Sequence, residues 1–248
     1  MAHMLDRWRA RIGWITPRVN SDTEIYDFYQ IAPKDVVVVV NSLAVVDSAR
    51  AEEVEASFNL IERAVKHLNL SGVDHIMKKG APVHLHFGNE GHNQILQRMR
   101  AVSKAPFTTS SKALADGFNH LGAKRILVIS SWRDESPHLA ENLKNHLASE
   151  GIQVGAVEGI GKQLKSFEKG QMTPAVIFAN VVAAAKKHPD LDAVYIQSGT
   201  MTSIPILDQL EQEIGKPVIS TNSAAIWGSF HALGIKPGPG FGKLLSGL

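Results

Sequence analysis

Short β-branched runs recur along this chain, separated by longer amphipathic stretches, and this alternation limits the possible folds more than any other feature. Arg11–Thr16 (RIGWIT), Val36–Val40, Val83–Phe87 (VHLHF), Arg125–Ser130 (RILVIS), Ile152–Val157, Ala193–Gln197 (AVYIQ) and Pro217–Thr221 (PVIST) are predicted as strands. They are apolar without clean alternation, the pattern of strands covered on both faces of a parallel sheet. Between them, Ala51–Asn69, Asn93–Val102, Lys112–His120, Pro137–Ser149, Pro174–His188, Ile204–Ile214 and Ala224–Leu233 are predicted as helices. Leu139, Leu143 and Leu147 recur at i, i+4 and i+8 and give one apolar face. Glycines and prolines sit at the joints, among them Gly72, Gly80, Pro82, Gly122, Gly151, Gly215 and Pro217. The predicted class is therefore α/β, with helices covering parallel sheets.

The halves read alike. One predicted strand runs into Gly88-Asn89-Glu90-Gly91 and a helix; another runs into Ser198-Gly199-Thr200 and a helix. Two similar lobes with facing strand ends are expected, and ligands of open α/β sheets bind outside those carboxyl ends. The polar turns predicted there are Thr16–Asn20, Asn41-Ser42, Gly88–His92, Ser130–Ser136, Ser198–Ser203 and Thr221–Ser223. Converging on one cleft, they would form a small-molecule site.

Composition excludes several classes. With 248 residues, 44% hydrophobic and 20% charged, the chain has an ordinary globular make-up. Its longest apolar run, Val36–Val40, is far short of the ~20 residues that span a bilayer, so no membrane role is expected. The 26 basic and 24 acidic residues are well mixed, and no basic cluster tracks a phosphate backbone, so no nucleic-acid partner is expected. No basic stretch precedes an apolar signal core, which points to a cytoplasmic protein. Cysteine is absent, which removes disulfides, thiolate metal sites and cysteine nucleophiles together.

The residues Ala193 to Phe241, AVYIQSGTMTSIPILDQLEQEIGKPVISTNSAAIWGSFHALGIKPGPGF, the opening RIGWITPRVNSDTE and the central GAKRILVISSW together resemble the Asp/Glu racemase superfamily. The branch they resemble is that of maleate cis-trans isomerase and arylmalonate decarboxylase. The resemblance implies two parallel-sheet lobes related by a pseudo-twofold, clamping a small carboxylate in the cleft between them, with no cofactor and in a homo-oligomer. It implies a first lobe of residues 5–107 plus 216–248, completed by the strand Val218–Ser220, and a second lobe of residues 108–215. It also implies a thiol at the strand end of each lobe, or only the second in the decarboxylase. Those places fall on Gly88 and Ser198, so both thiols are missing. A glycine at the first place fits the decarboxylase pattern; a serine at the second fits neither, unless it is an engineered replacement. A serine hydroxyl is a far weaker acid than a thiol of pKa ~8.5 and needs an adjacent base to attack.

Candidate site residues follow. Glu90 is read as a general acid/base or a partner for a cationic group, against the plain alternative of a first-turn Glu favoured by the helix dipole. His86 is an alternative base. His84, His86 and His92 with Glu90 have ligand-like spacing, but two strand histidines are more often satisfied core residues, and no metal is expected. The Ser198-Gly199-Thr200 turn offers backbone N–H groups to an anion, with Thr200 adding a hydroxyl, and Ser198 is a candidate nucleophile. Gly88 and Asn89 would contribute to the first turn. The resemblance adds Asn20, whose amide would donate to the carboxylate, and Trp132, at the place of a donor tyrosine. Asn222 is read as a cap of the last helix, which suffices to explain it, with a place in the cleft as the second reading. Three functions remain open on this reading: a cysteine-independent isomerase or lyase of a small carboxylate, a hydrolase or hydratase on the same scaffold, and a catalytically silent carboxylate binder.

Overall fold

The computed structural model describes residues 7–17, 22–45, 51–130, 137–160, 164 and 166–248. The first half runs β1 (Ala10–Thr16), α1 (Asp22–Ile31), β2 (Val36–Ser42), α2 (Ala51–Leu70), β3 (His75–Lys78), α3 (Ala81–His84), α4 (Gly88–Val102), β4 (Phe107–Thr109) and α5 (Ser110–His120). The second runs β5 (Arg125–Ser130), α6 (Pro137–Ser149), β6 (Gln153–Gly159), α7 (Ser166–Gly170), α8 (Pro174–Lys187), β7 (Ala193–Gln197), a 3-10 turn at Ile204–Ile206, α9 (Leu207–Ile214), β8 (Val218–Ser220), α10 (Thr221–Leu233) and α11 (Lys243–Ser246).

Two four-stranded parallel sheets result, ordered β2-β1-β3-β4 and β6-β5-β7-β8. The same order in both is the pseudo-symmetric two-lobe α/β architecture that the sequence predicts. Parallel neighbours need helical crossovers, so helices cover the sheets and the central strands are buried. Ile12, Trp14 and Ile15 of β1 and Ile126 of β5 are wholly inaccessible. Among the described residues, no helix is long and apolar enough to cross a membrane.

The predicted strand Val83–Phe87 is not a strand. Gly80, at φ 87°, turns the chain out of β3, and Pro82 in the first turn of α3 fixes a helical φ and withholds a ladder N–H. The strand lies earlier, at His75–Lys78, where two consecutive lysines hide an apolar pattern. The short strand β4 and the helix α1 also escape the sequence reading.

Val218–Ser220 does not complete the first sheet as expected; it pairs with β7, with Val194 opposite Val218 and Ile196 opposite Ser220. The physical reason is local. The crossover through α9 is short and ends at Gly215, whose φ of 74° returns the chain beside the strand it left. What does return to the first half is α10, which packs on α5, β3 and α1. Its start is fixed by a capping box: Ser220 accepts from the Ser223 backbone, and the Ser223 hydroxyl accepts from the Ser220 backbone N–H.

Candidate active site

The carboxyl ends of the two sheets meet in one buried polar network. From the second half come the turn after β7, Ser198-Gly199-Thr200, and Asn222 in the first turn of α10. From the first half come Thr16 at the end of β1, Glu24 and Asp27 on α1, and Lys79 just past β3. All of these side chains are buried.

Lys79 is the hub. Its Nζ lies 3.4 Å from Glu24 Oε2, donates to Asn222 Oδ1 at 3.2 Å, and stands 3.9 Å over the Trp14 ring. A buried ammonium is tolerated only with such partners, here a carboxylate, an amide oxygen and an aromatic face. Asn222 Nδ2 in turn donates to Asp27 Oδ2 at 2.7 Å and to the Gly199 carbonyl at 3.2 Å. One amide therefore joins the cation, an acid and the turn after β7. Glu24 is also pressed against that turn: a Cβ on Gly199 would lie 2.6 Å from Glu24 Oε1, so a methyl there would push the carboxylate aside. Thr16 Oγ1 lies 3.5 Å from Glu24 Oε2.

Lys78 is fully buried as well, and its Nζ donates to the Lys79 carbonyl. Burial pushes its amine down to about 7, with Glu24 pulling weakly the other way. Burial likewise pushes the Asp27 carboxyl up to about 7, although the Asn222 hydrogen bond and Lys79 lower it; Glu24 adds to the rise.

Ser198 is held as a turn residue. Its Oγ lies 3.0 Å from Thr200 Oγ1 and 3.4 Å from the Thr200 backbone N–H, which donates to it. Among the described residues, no histidine or carboxylate hydrogen-bonds it, and a serine nucleophile needs such a base.

The structure thus brings Ser198, Gly199, Thr200 and Asn222 together. Gly88, Asn89, Glu90 and His86 lie elsewhere, at the start of α4, which begins at Gly88 rather than after a strand. Asn89 faces α6, donating to the Asn145 carbonyl at 3.4 Å and Ser149 Oγ at 3.2 Å, and lying 3.2 Å from His146 Nδ1. Glu90 is exposed, accepts from Gln94 at 3.3 Å, and lines a groove of about 250 Å³ with Phe58, Phe87 and Arg98. His86 packs edge-on to Phe87 and His138, and burial beside His138 holds its imidazole below the usual range. His84 and His92 are bonded to Ser111 and Thr109, each at 2.7 Å. Asn20 and Trp132 lie outside the described residues.

The sheet registers identify the two-fold mate of Ser198. Lys78 pairs with Thr109, which caps α5; Ile196 pairs with Ser220, which caps α10. Lys78 and Ile196 are therefore equivalent, and so are the residues two further on, Gly80 and Ser198. The first-half turn that mirrors Ser198 is Lys79-Gly80-Ala81, and not the Gly88 turn.

The sequence model of arylmalonate decarboxylase matches residues 30–245. The chain belongs to the arylmalonate decarboxylase family. Arylmalonate decarboxylase of Bordetella bronchiseptica is 25% identical over 75% of this chain and 78% of its own. Maleate isomerase of Alcaligenes faecalis is 25% identical over 96% and 97%. Among solved structures, the crystal structure of arylmalonate decarboxylase superposes with a TM-score of 0.84 at 21% identity, covering 96% of this chain and 100% of that one, a likeness of fold. The maleate isomerase of Pseudomonas putida S16 gives a TM-score of 0.81 at 26% identity, covering 96% and 98%. The chain thus lies in the isomerase and decarboxylase branch of the Asp/Glu racemase superfamily, whose members act on small carboxylates.

Glu24, Asp27 and Lys79 escape the sequence reading, though two signals for them exist. Glu24, Asp27, Phe28 and Ile31 fall at helical spacing on the buried face of α1, so two carboxylates ride on an apolar stripe. Lys78-Lys79 stands between an apolar run and Gly80, where a strand end precedes a turn.

Proposed function

We propose that this protein is a cysteine-independent isomerase or lyase of a small carboxylate. The carboxylate is held by the Gly199 backbone N–H and the Thr200 hydroxyl, with Lys79 as the counter-charge; the Ser198 and Thr200 N–H groups close the turn itself on the Ile196 carbonyl and Ser198 Oγ. The observation that carries this reading is Asn222, which bonds both Lys79 Nζ and the Gly199 carbonyl, so the buried cation and the anion-binding turn form one unit. Preorganised donors of this kind stabilise negative charge developing beside a carboxylate, as the loss of CO₂ or the rotation of a cis-alkene requires. A fixed ammonium does so without the thiolate that this chain lacks. Glu24 pairs with Lys79 in the structure, and the substrate carboxylate joins that pair as a second anion.

The test is a panel of phenylmalonate, methylmalonate, maleate and citraconate, scored by thermal shift for binding and by proton NMR for decarboxylation or isomerisation. At least one member should bind and turn over, and Lys79→Met should lose both. Binding without turnover would favour the silent binder, water addition the hydratase, and the absence of any binding would remove the carboxylate reading.

A further inference from the structure

Asp27 is a buried acid for which carboxylate binding alone has no use. It is wholly inaccessible on α1; Asn222 donates to its Oδ2 at 2.7 Å, and its Oδ1 has no hydrogen-bond partner. An ionised carboxylate with one oxygen unpaired in a dry site is strained, and adding a proton relieves it. Asn222 connects this acid to Lys79 and to Gly199 through the same amide.

We propose that Asp27 is the proton store of this site: it takes up one proton from solvent when a carboxylate pairs with Lys79, and holds it beside the anion-binding turn. The inference rests on the carboxylate reading above. Its logic is a charge balance. The positive charge of Lys79 favours ionised Asp27, and Glu24 opposes it. Among the other elements packed on α1, Asn222 of α10 is uncharged, and Ile204, Pro205 and Ile206 of the 3-10 turn carry no ionisable group. A bound anion that claims Lys79 adds negative charge next to Asp27, so the equilibrium Asp–COO⁻ + H⁺ → Asp–COOH moves to the right. Desolvation already holds this carboxyl up to about 7, near the point where a small change in field moves a whole proton.

Isothermal titration of the full chain with malonate, in buffers of differing ionisation enthalpy at about pH 8, reads this directly through the proton linkage of a carboxyl that titrates near neutrality. The expected result is uptake approaching one proton per malonate, abolished in Asp27→Asn while malonate still binds. Infrared titration of the ligand-free protein supplies a second reading that needs no folded variant: a protonated-carboxyl band that disappears as the pH is raised through neutrality. Malonate binding without proton uptake, or uptake retained in Asp27→Asn, overturns the proposal. If malonate does not bind, the carboxylate reading fails with the coupling. An absent carboxyl band would then remove Asp27 as a titrating acid as well.

Discussion

The turns that follow β3 and β7 are two-fold mates, yet they are built from opposite materials. After β7, Ser198, Gly199 and Thr200 are small, and Ser198 and Thr200 hydrogen-bond one another. After β3, the mate of Ser198 is Gly80, at φ 87°, where a Cβ would lie 2.4 Å from Pro17 Cγ. No side chain fits there, and the buried polar group stands one residue back, at Lys79. A duplicated scaffold need not carry duplicated groups: one turn presents small hydroxyl residues, the other a buried cation, and Asn222 joins them. In a site with a thiol from each lobe, the two halves would carry the same group; here the halves are complementary instead.

The sharpest way to break this comparison is to strand the cation. Glu24→Ala leaves Lys79 buried without its carboxylate, and breaking a buried pair from one side costs roughly 3–5 kcal/mol. Ser198→Ala, at the mate position, removes only the two local bonds to Thr200 and should cost about 1 kcal/mol. Urea unfolding of both variants checks the difference; equal costs would mean that Lys79 finds another partner and is not the hub.

The second prediction concerns pH. The folded Asp27 carboxyl is raised from 3.8 to about 7, so the folded chain binds a proton there that the unfolded chain has lost. Its contribution to stability is therefore present below about pH 4 and is lost as pH rises to about 7, a few kcal/mol at ~1.4 kcal/mol per pH unit. Lys78 works oppositely over the next window: its amine is lowered from 10.5 to about 7, so its burial penalty fades as pH rises through that range. Asp27→Asn should thus gain on the parent between about pH 4 and pH 7 and keep a constant advantage above it. Unfolding curves of both proteins across that range would show it, and a pH-independent difference would mean that Asp27 does not titrate in the fold.

Gly80→Ala comes next. The left-handed φ and the approach of Pro17 together should cost roughly 1–3 kcal/mol, as strained backbone positions do. Gly199→Ala meets the carboxylate of Glu24, the far end of a side chain that can turn aside where a proline ring cannot, so its stability should fall less while carboxylate affinity falls more. Thermal unfolding and malonate titration on the pair separate the two turns: one glycine serves the fold, the other the site.

The sequence shows the architecture because hydrophobic period and turn residues act locally. The buried strands β1, β5 and β7 and the helix α6 are legible, as is Ser198–Thr200 on a readable strand end; Asn222 is legible only by its place, since Ser220 and not Asn222 caps the helix. The Lys79 cluster is legible only in hindsight. Two lysines at the end of β3 are polar in composition, and only tertiary contacts from α1, β1 and α10 make their burial tolerable. The Val83–Phe87 stretch misleads for a related reason: Val83, His84 and Leu85 pack inside, and a short buried run cannot distinguish a strand from a helical turn. Gly80 and Pro82, read as punctuation before a strand, instead begin α3. Strand order is equally invisible to period, and the resemblance, which implies Val218–Ser220 in the first lobe, does not supply it either.

Glu90 provides the smallest and most discriminating test. The sequence places it in the turn thought to face the cleft, and the structure places it on the exposed first turn of α4, beside Phe58 and Arg98. An exposed carboxylate there has two local roles: it accepts from Gln94 and it complements the N-terminal dipole of α4. Glu90→Gln removes the charge and keeps the shape, so stability should fall by only about 0.3–1 kcal/mol, less in high salt. Malonate affinity and any turnover should not change, because Lys79, Asn222 and the Ser198 turn remain as they are. A true general acid/base would instead lose ~10²–10⁴-fold in rate on the same substitution. Steady-state kinetics of Glu90→Gln beside Lys79→Met decides between the two turns. A rate loss in Glu90→Gln with the fold intact would return the chemistry to the start of α4, and an unchanged rate leaves it with the lysine turn and its mate.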